Sequence, residues 1–357
     1  MKRTITFLLF GPILSPGGGM KIILEYANRL VEAGHNVNIV YPGTINWLKS
    51  PVKYKLKSLY YYFRHKRIGV TCSTWFKMDK RVKEFHPLNL EFHNIPKSDI
   101  YVATEVRTAP YVAKYPVPAN QKFYFIQDFE NWYMSDDAVI DTYHLPLQKI
   151  VISSWLSKIL NQINEKSILV PNGFDFNYFS QTVPFEERDR NVVSMLYHEA
   201  PRKDCKMAFK ALDIVKSKYP NLQVLIFGTP NRPNNLPSWY KYYQCPTKVQ
   251  HNFIYNNSAI FIGSSIAEGW GLTVGEAMIC GAAIACTDNE GYKEMAKHNH
   301  NALISPIHDA NSLANNIIQL ITDDNLRIRL ARTAAYEIHN FTWNNSFKCF
   351  TKALKLQ

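Results

Sequence analysis

Residues 268–281, EGWGLTVGEAMICG, limit what this chain can become more than any other stretch. Gly269 and Gly271 let a backbone turn come close to a ligand, and a helix beginning near Thr273 points its first amides and positive dipole end at whatever lies there. An anion suits those amides. Glu268 and Glu276 disfavour a bare anion, so their useful role is to accept hydrogen bonds from hydroxyls. The next residues, AAIACTDNEGYKEM, read as a buried strand over 282–286, a polar turn with Gly291 and another helix. That alternation places the glutamates in an α/β layer, where ligands sit outside the carboxyl ends of strands. A competing local reading is that Thr273 and Glu276 form a capping box and only tie down the helix start.

The remainder of the chain repeats the α/β pattern. Residues 4–10 form a compact apolar run, 16–19 a glycine-rich loop, 20–33 a helical period stopped by Gly34, and 37–41 a second strand, a βαβ opening. Short strands are expected over 100–104, 122–127, 150–153 and 168–170, with Ser153 starting a helix. The polar stretch 181–191 is the best linker. Beyond it come a strand over 192–197, a helix over 205–218, a strand over 222–227, a helix over 312–340 and a last helix over 341–356. A chain of 357 residues with 46% hydrophobic side chains can bury two cores. The expected domains are 1–180 and 181–340, with 341–357 as a helix returning to the first.

The formal charge is +12, which points to an anionic partner. Residues 49–84 hold eleven Lys or Arg against Asp79 and Glu84, a net of +9. Within them, bases alternate with Leu56, Leu59, Tyr60, Tyr61, Tyr62 and Phe63, as in an interfacial helix on an anionic membrane. A solvated basic face, a polyanionic acceptor and nucleic acid compete with that reading, although no nucleic-acid motif accompanies the tract. The six cysteines are scattered without a CxxC pair, which argues against a zinc site or a disulfide framework and for a reducing, cytoplasmic setting. Lys2, Arg3 and the apolar run to Leu14 imitate a signal peptide. Gly11 and Pro12 break that run, so a first strand is expected.

Taken together, Glu268, Gly269, Trp270, Gly271, Leu272, Glu276, Ala277, Met278, Cys280, Gly281, Thr287, Gly291 and Glu294, with PNGFD at 171–175, resemble the retaining glycosyltransferases of family 4. The likeness covers the carboxyl half well and the amino half at a few points. It implies the α/β GT-B fold, two Rossmann-like domains facing each other across a cleft, and hexosyl transfer from a nucleotide-diphosphate sugar to a glycan or lipid-linked hydroxyl. The implied donor-binding residues are Gly18, Gly19, Arg202, Lys203, Gly269, Trp270, Gly271, Leu272 and Glu276. Within that set, Lys203 takes the diphosphate and Glu276 the ribose, while Glu268 serves the transferred sugar. The family often has an arginine five residues before its lysine, where this chain has His198, so the second cation is assigned to Arg202.

On the acceptor side Asp128, following a strand, is the catalytic candidate beside Glu268. No metal or other cofactor is expected, because no DxD pair sits at a strand end: Asp136–Asp137 and Asp323–Asp324 read as loop and helix-start acids. The resemblance also implies that no dedicated base is needed, since the departing phosphate can take the proton. The alternatives are a GT-B sugar-nucleotide epimerase or hydrolase and a non-catalytic basic protein that binds a membrane or polyanion. A glycosidase fits poorly, because its two carboxyl groups must face one atom.

Overall fold

In the computed structural model, which describes residues 2–11, 16–43, 45, 51–68 and 75–356, the chain divides into two compact units. Met1–Pro171 and Asn344–Gln357 make the first unit, and Asn172–Trp343 the second. Lys49, Cys72 and the end of the first apolar run at 12–14 lie outside the described residues, as do the side chains of Lys57 and Tyr61.

The first unit contains strands β1 (Thr4–Leu8), β2 (Asn36–Val40), β3 (Lys83–Phe85), β4 (Ile100–Ala103), β5 (Lys122–Ile126), β6 (Gln148–Val151) and β7 (Ser167–Leu169). They pair in parallel in the order β3-β2-β1-β4-β5-β6-β7. Connecting helices include α1 (Gly18–Glu32), α2 (Val52–Ile68), α3 (Ala109–Ala113), α4 (Asp136–Tyr143) and α5 (Ser154–Gln162). The expected strand over 4–10 ends at Leu8, since Phe10 and Gly11 already belong to the turn before α1. Gly34 sits at φ +91° and stops α1, a conformation that carries little penalty only for glycine.

The second unit repeats the plan with β8 (Val192–Leu196), β9 (Gln223–Gly228), β10 (Tyr240–Gln244), β11 (Ile260–Gly263), β12 (Ala283–Thr287) and β13 (Leu303–Ser305), ordered β10-β9-β8-β11-β12-β13 and parallel. Its helices are α6 (Cys205–Lys218), α7 (Lys248–Asn256), α8 (Leu272–Ile279), α9 (Glu290–Lys293), α10 (Ala310–Thr322) and α11 (Asp324–Glu337). Both β11 (IFIG) and β12 (AIACT) are buried along their whole length, as strands covered by helices on both faces must be. The continuous helix expected over 312–340 is two, because Asp323 leaves the helical region and caps α11 through its carboxylate and the Leu326 N–H at 2.9 Å.

The break between units falls at Pro171, ahead of the polar linker expected near 181. PNGFD is held to the end of the second unit: Phe174 N–H donates to the Phe341 carbonyl at 2.9 Å, and Gly173 lies so near Trp343 that a Cβ would come within 2.6 Å of its backbone. The chain then enters α12 (Trp343–Ala353), whose later residues belong to the first unit. Phe350 packs there on Tyr26, Phe125 and Phe7, with its ring 4.0 Å from that of Tyr26.

Candidate active site

Each sheet reverses its strand order once, between β1 and β4 in the first unit and between β8 and β11 in the second, and the carboxyl ends flanking such a reversal splay apart into a ligand crevice. In the second unit the loop after β8 carries Arg202 and Lys203, and the loop after β11 carries Ser264, Ser265 and Glu268. Two hydrogen bonds clamp the loops: the Ile266 N–H donates to the Arg202 carbonyl at 2.7 Å and the Ser264 hydroxyl to the Lys203 carbonyl at 2.8 Å. A small recess between them is lined by Lys203, Gly263, Ser264, Ser265, Thr273 and Tyr292.

Lys203 Nζ pairs with the Glu268 carboxylate, and both side chains are largely buried, at 15% and 12% exposure. Burial pushes the Glu268 carboxyl up, but Lys203, the Ser265 hydroxyl at 2.7 Å and the Arg202 charge outweigh it and hold the group below its ordinary range. Glu268 is therefore an ionised acceptor. Tyr292 extends the chain by donating to the Ser265 oxygen at 3.1 Å, and burial keeps its phenol protonated. His198 replaces the basic residue common in the resembling family. Burial first, then Lys203 and Arg202, push its imidazole down, and its Nδ1 accepts the Ala200 N–H at 2.9 Å. It is a neutral loop brace.

The glycines that stand out in the sequence acquire packing reasons here. Gly271, at φ +98°, precedes α8, and a Cβ on it would come within 2.6 Å of the Tyr292 ring. A Cβ on Gly263 would meet the same ring at 2.9 Å, and one on Gly291 would overlap the Glu268 backbone. Tyr292 is thus wedged between the glutamate loop and the next helix. The Thr287 hydroxyl donates to the Ser265 carbonyl, which also accepts from Asn289 Nδ2 at 2.9 Å. These contacts fix the height of Ser265 beneath Glu268.

Glu276 lies on α8, buried, and one of its carboxylate oxygens accepts the Tyr255 hydroxyl at 3.2 Å. The capping box does not form. Helix α8 starts one residue earlier than expected, with Gly271 as its N-cap and no side-chain cap, so Glu276 does not act in capping the helix. Gly275 beside it packs onto the Phe174 ring, leaving no room for a Cβ, which joins the PNGFD motif to the glutamate helix. The Trp270 indole is buried edge-on against Phe341, so that side chain is packing, whereas Gly269 and Leu272 remain on the loop and helix start.

In the first unit Gly18 and Gly19 open α1 after the β1 turn, and Gly19 faces the Gln127 carboxamide, which a Cβ would approach to 3.4 Å. Asp128 follows β5 and accepts the Phe129 N–H at 2.9 Å. It is half-buried and two residues from Glu130, whose buried carboxyl accepts the Val106 N–H at 2.7 Å. Burial and the charge of Glu105 push the Glu130 carboxyl well up. The structure thus brings Gly18, Gly19 and Asp128 to one sheet edge of the first unit, and Arg202, Lys203, Glu268, Gly269, Trp270, Gly271, Leu272 and Glu276 to one edge of the second.

Sequence reasoning missed Ser265, Tyr292 and Tyr255 as partners of the two glutamates. The signal available was positional: Ser265 lies at the end of β11, whose bounds the apolar run leading to Ser264 could have given. Among the described residues, no helix is long and apolar enough to cross a membrane.

Residues 180–336 match the family model described as glycosyl transferases group 1. The phosphatidyl-myo-inositol mannosyltransferase of Mycolicibacterium smegmatis is 20% identical over 347 residues, covering 92% of this chain and 87% of that protein. Among solved structures, the sucrose-phosphate synthase of Thermosynechococcus elongatus superposes with a TM-score of 0.72 at 14% identity, covering 99% of each chain. Anabaena HepE in complex with UDP and glucose gives 0.73 at 15% identity, covering 99% of this chain and 100% of that one. The second unit is accordingly a glycosyl transferases group 1 domain, within a chain whose two Rossmann-like sheets have the GT-B fold.

Proposed function

We propose that this protein transfers a hexose from a nucleotide-diphosphate sugar to a hydroxyl of a glycan or glycolipid, with retention of anomeric configuration and without a metal ion, in the synthesis of a surface polysaccharide. The observation that carries the reading is the Lys203–Glu268 pair at the strand reversal of a group 1 domain. A cation and an ionised acceptor held side by side match a ligand in which a diphosphate adjoins a sugar bearing hydroxyls.

Donor binding replaces the ion pair: Lys203, with Arg202, turns to the diphosphate, and Glu268 accepts from hydroxyls of the transferred sugar. Glu276, braced by Tyr255, accepts from the ribose, and the amides of 269–272 face the sugar and its nearer phosphate. As the bond from the anomeric carbon to the diphosphate breaks, the cations and amides stabilise the charge growing on the leaving oxygens. The acceptor hydroxyl forms its bond on the same face and passes its proton to the departing phosphate, while Asp128 orients that hydroxyl.

Helix α2 favours work at the cytoplasmic face of an anionic membrane. Val52, Leu56, Tyr60 and Phe63 are 71%, 61%, 60% and 61% exposed. Their spacing places them in one narrow stripe, with Lys53 and Arg64 along one flank and Lys55 and Lys66 along the other. An apolar ridge between two basic rows suits headgroup insertion over anionic lipid. Vesicles of phosphatidylglycerol should sediment the wild type and release a Leu56→Asp, Phe63→Asp variant. Equal binding by both would remove α2 from the surface.

The donor reading is tested by thermal unfolding with UDP-, GDP- and dTDP-sugars, since a ligand that binds the native state raises the midpoint. One nucleotide series should protect the wild type, less so Glu276→Ala, with EDTA making no difference. Glu268→Ala should lose turnover far more than nucleotide affinity. Sugar released to water in the presence of every acceptor would favour a hydrolase instead.

A further inference from the structure

The strand reversal of the first unit carries a second constellation with a different chemistry. Phe10 follows β1, Arg107 follows β4, and Asp128, Trp132 and Tyr133 follow β5, so three adjacent carboxyl ends contribute to it. The Arg107 guanidinium lies 3.7 Å over the Tyr133 ring and 4.7 Å from the Phe10 ring. Its Nε donates to both oxygens of the buried Glu105 carboxylate, at 2.9 and 2.8 Å. That pairing cancels its charge and fixes its plane. Trp132 packs edge-on to Tyr133 at 5.9 Å. Even so, Trp132 and Tyr133 keep 44% and 49% of their surface exposed, an unusual placement for two large rings on a polar turn.

We propose that Trp132, backed by the Tyr133–Arg107 stack, is the platform on which an uncharged sugar ring of the acceptor rests, one ring away from or including the hydroxyl presented to Asp128. Three features lead there. The rings stand at the crevice edge where an open α/β sheet takes its ligand. A pyranose offers an apolar face of C–H groups that complements the negative face of an aromatic ring, while its rim hydroxyls can reach neighbouring carboxylate oxygens. The local charge is also wrong for an anion, because Arg107 is neutralised by Glu105 and Asp128 adds a negative charge. An anionic lipid or polyphosphate belongs on α2, whereas this edge selects a neutral saccharide. The inference rests on the transferase reading and narrows its acceptor.

The test uses the full chain on an array of neutral and anionic oligosaccharides, with the best neutral oligosaccharide then titrated in solution. Trp132→Ala should weaken its binding on the order of tenfold or more, and Trp132→Phe should recover most of the loss. Protection by the nucleotide sugar against unfolding should be unchanged in both variants. Neutral-glycan binding that survives Trp132→Ala, an array that selects only anionic glycans, or an array with no bound glycan overturns the platform. Loss of nucleotide-sugar protection in the wild type itself would instead overturn the transferase reading.

Discussion

The carboxyl edges of the two sheets are built on one topology and stabilised in opposite ways. In the second unit the edge is fixed by close backbone approach: Gly263, Gly271 and Gly291 crowd Tyr292 and the Glu268 loop, and a ladder of hydroxyls runs from Tyr292 through Ser265 to Glu268. In the first unit the edge is made of large side chains, with Arg107 between Phe10 and Tyr133 and with buried carboxyls at Glu105 and Glu130. The first arrangement tolerates almost no change at its glycines. The second accommodates replacement of rings and loops, which suits the acceptor role proposed for it.

The comparison breaks most sharply at Gly291. A Gly291→Ala methyl would overlap the Glu268 backbone, so the loop must shift, at a cost of about 1–3 kcal/mol of stability. Nucleotide-sugar protection should vanish and turnover should fall by roughly a hundredfold or more, the scale at which misplaced site groups cost rate. Gly17→Ala, where a Cβ meets nothing within 4 Å, should leave the unfolding midpoint and protection nearly unchanged. Similar losses in both variants would show that close contact is not what distinguishes Gly291.

At the ion pair the expected change is one of stability and of its pH dependence. Lys203→Met leaves Glu268 buried beside only Arg202 and Ser265, costing about 3 kcal/mol at neutral pH. The sign with pH should also reverse. In the wild type the depressed Glu268 group adds stability that is present above its unfolded pKa and lost as pH falls through the folded one. In the variant, burial dominates, and stability should decline as pH rises. A chemical-denaturation series from pH 4 to pH 8 reads this directly, and parallel profiles would mean the pair is screened.

The smallest effect belongs to Glu130. Its folded pKa is raised by burial and by Glu105, with Asp128 adding to the rise while the Val106 N–H and Arg107 oppose it. Its stabilising contribution is therefore complete below the unfolded pKa and lost as pH climbs through the folded value. Glu130→Gln keeps an acceptor for the Val106 N–H without a charge, so it should match the wild type near pH 4 and exceed it near pH 8. A variant less stable than the wild type at pH 8 would mean that the carboxylate is held ionised.

Much of the second unit was legible because its chemistry requires special backbone. Only glycine reaches φ +98° without strain at 271, so EGWGL announces its turn, and the strands on either side are continuous apolar runs. Edge strands β3 and β10 escaped notice because KEF and YKYYQ are partly exposed and carry no apolar period. The sequence singles out Trp270 for its backbone amide on the glycine turn; where its indole goes is set by the space around it, here against Phe341.

By itself the amino-acid sequence determined the α/β alternation, the glycine turns and the two glutamates on either side of one, because those depend on local backbone freedom and on hydrophobic period. Tertiary structure alone decided which side chains meet. Lys203 and Glu268 stand 65 positions apart, Tyr255 and Glu276 21 apart, and Arg107 reaches back to Phe10, pairings set by the order of strands in the sheets. Strand order is fixed by how whole helices and strands bury their apolar faces together, a sum over the molecule that no short stretch encodes.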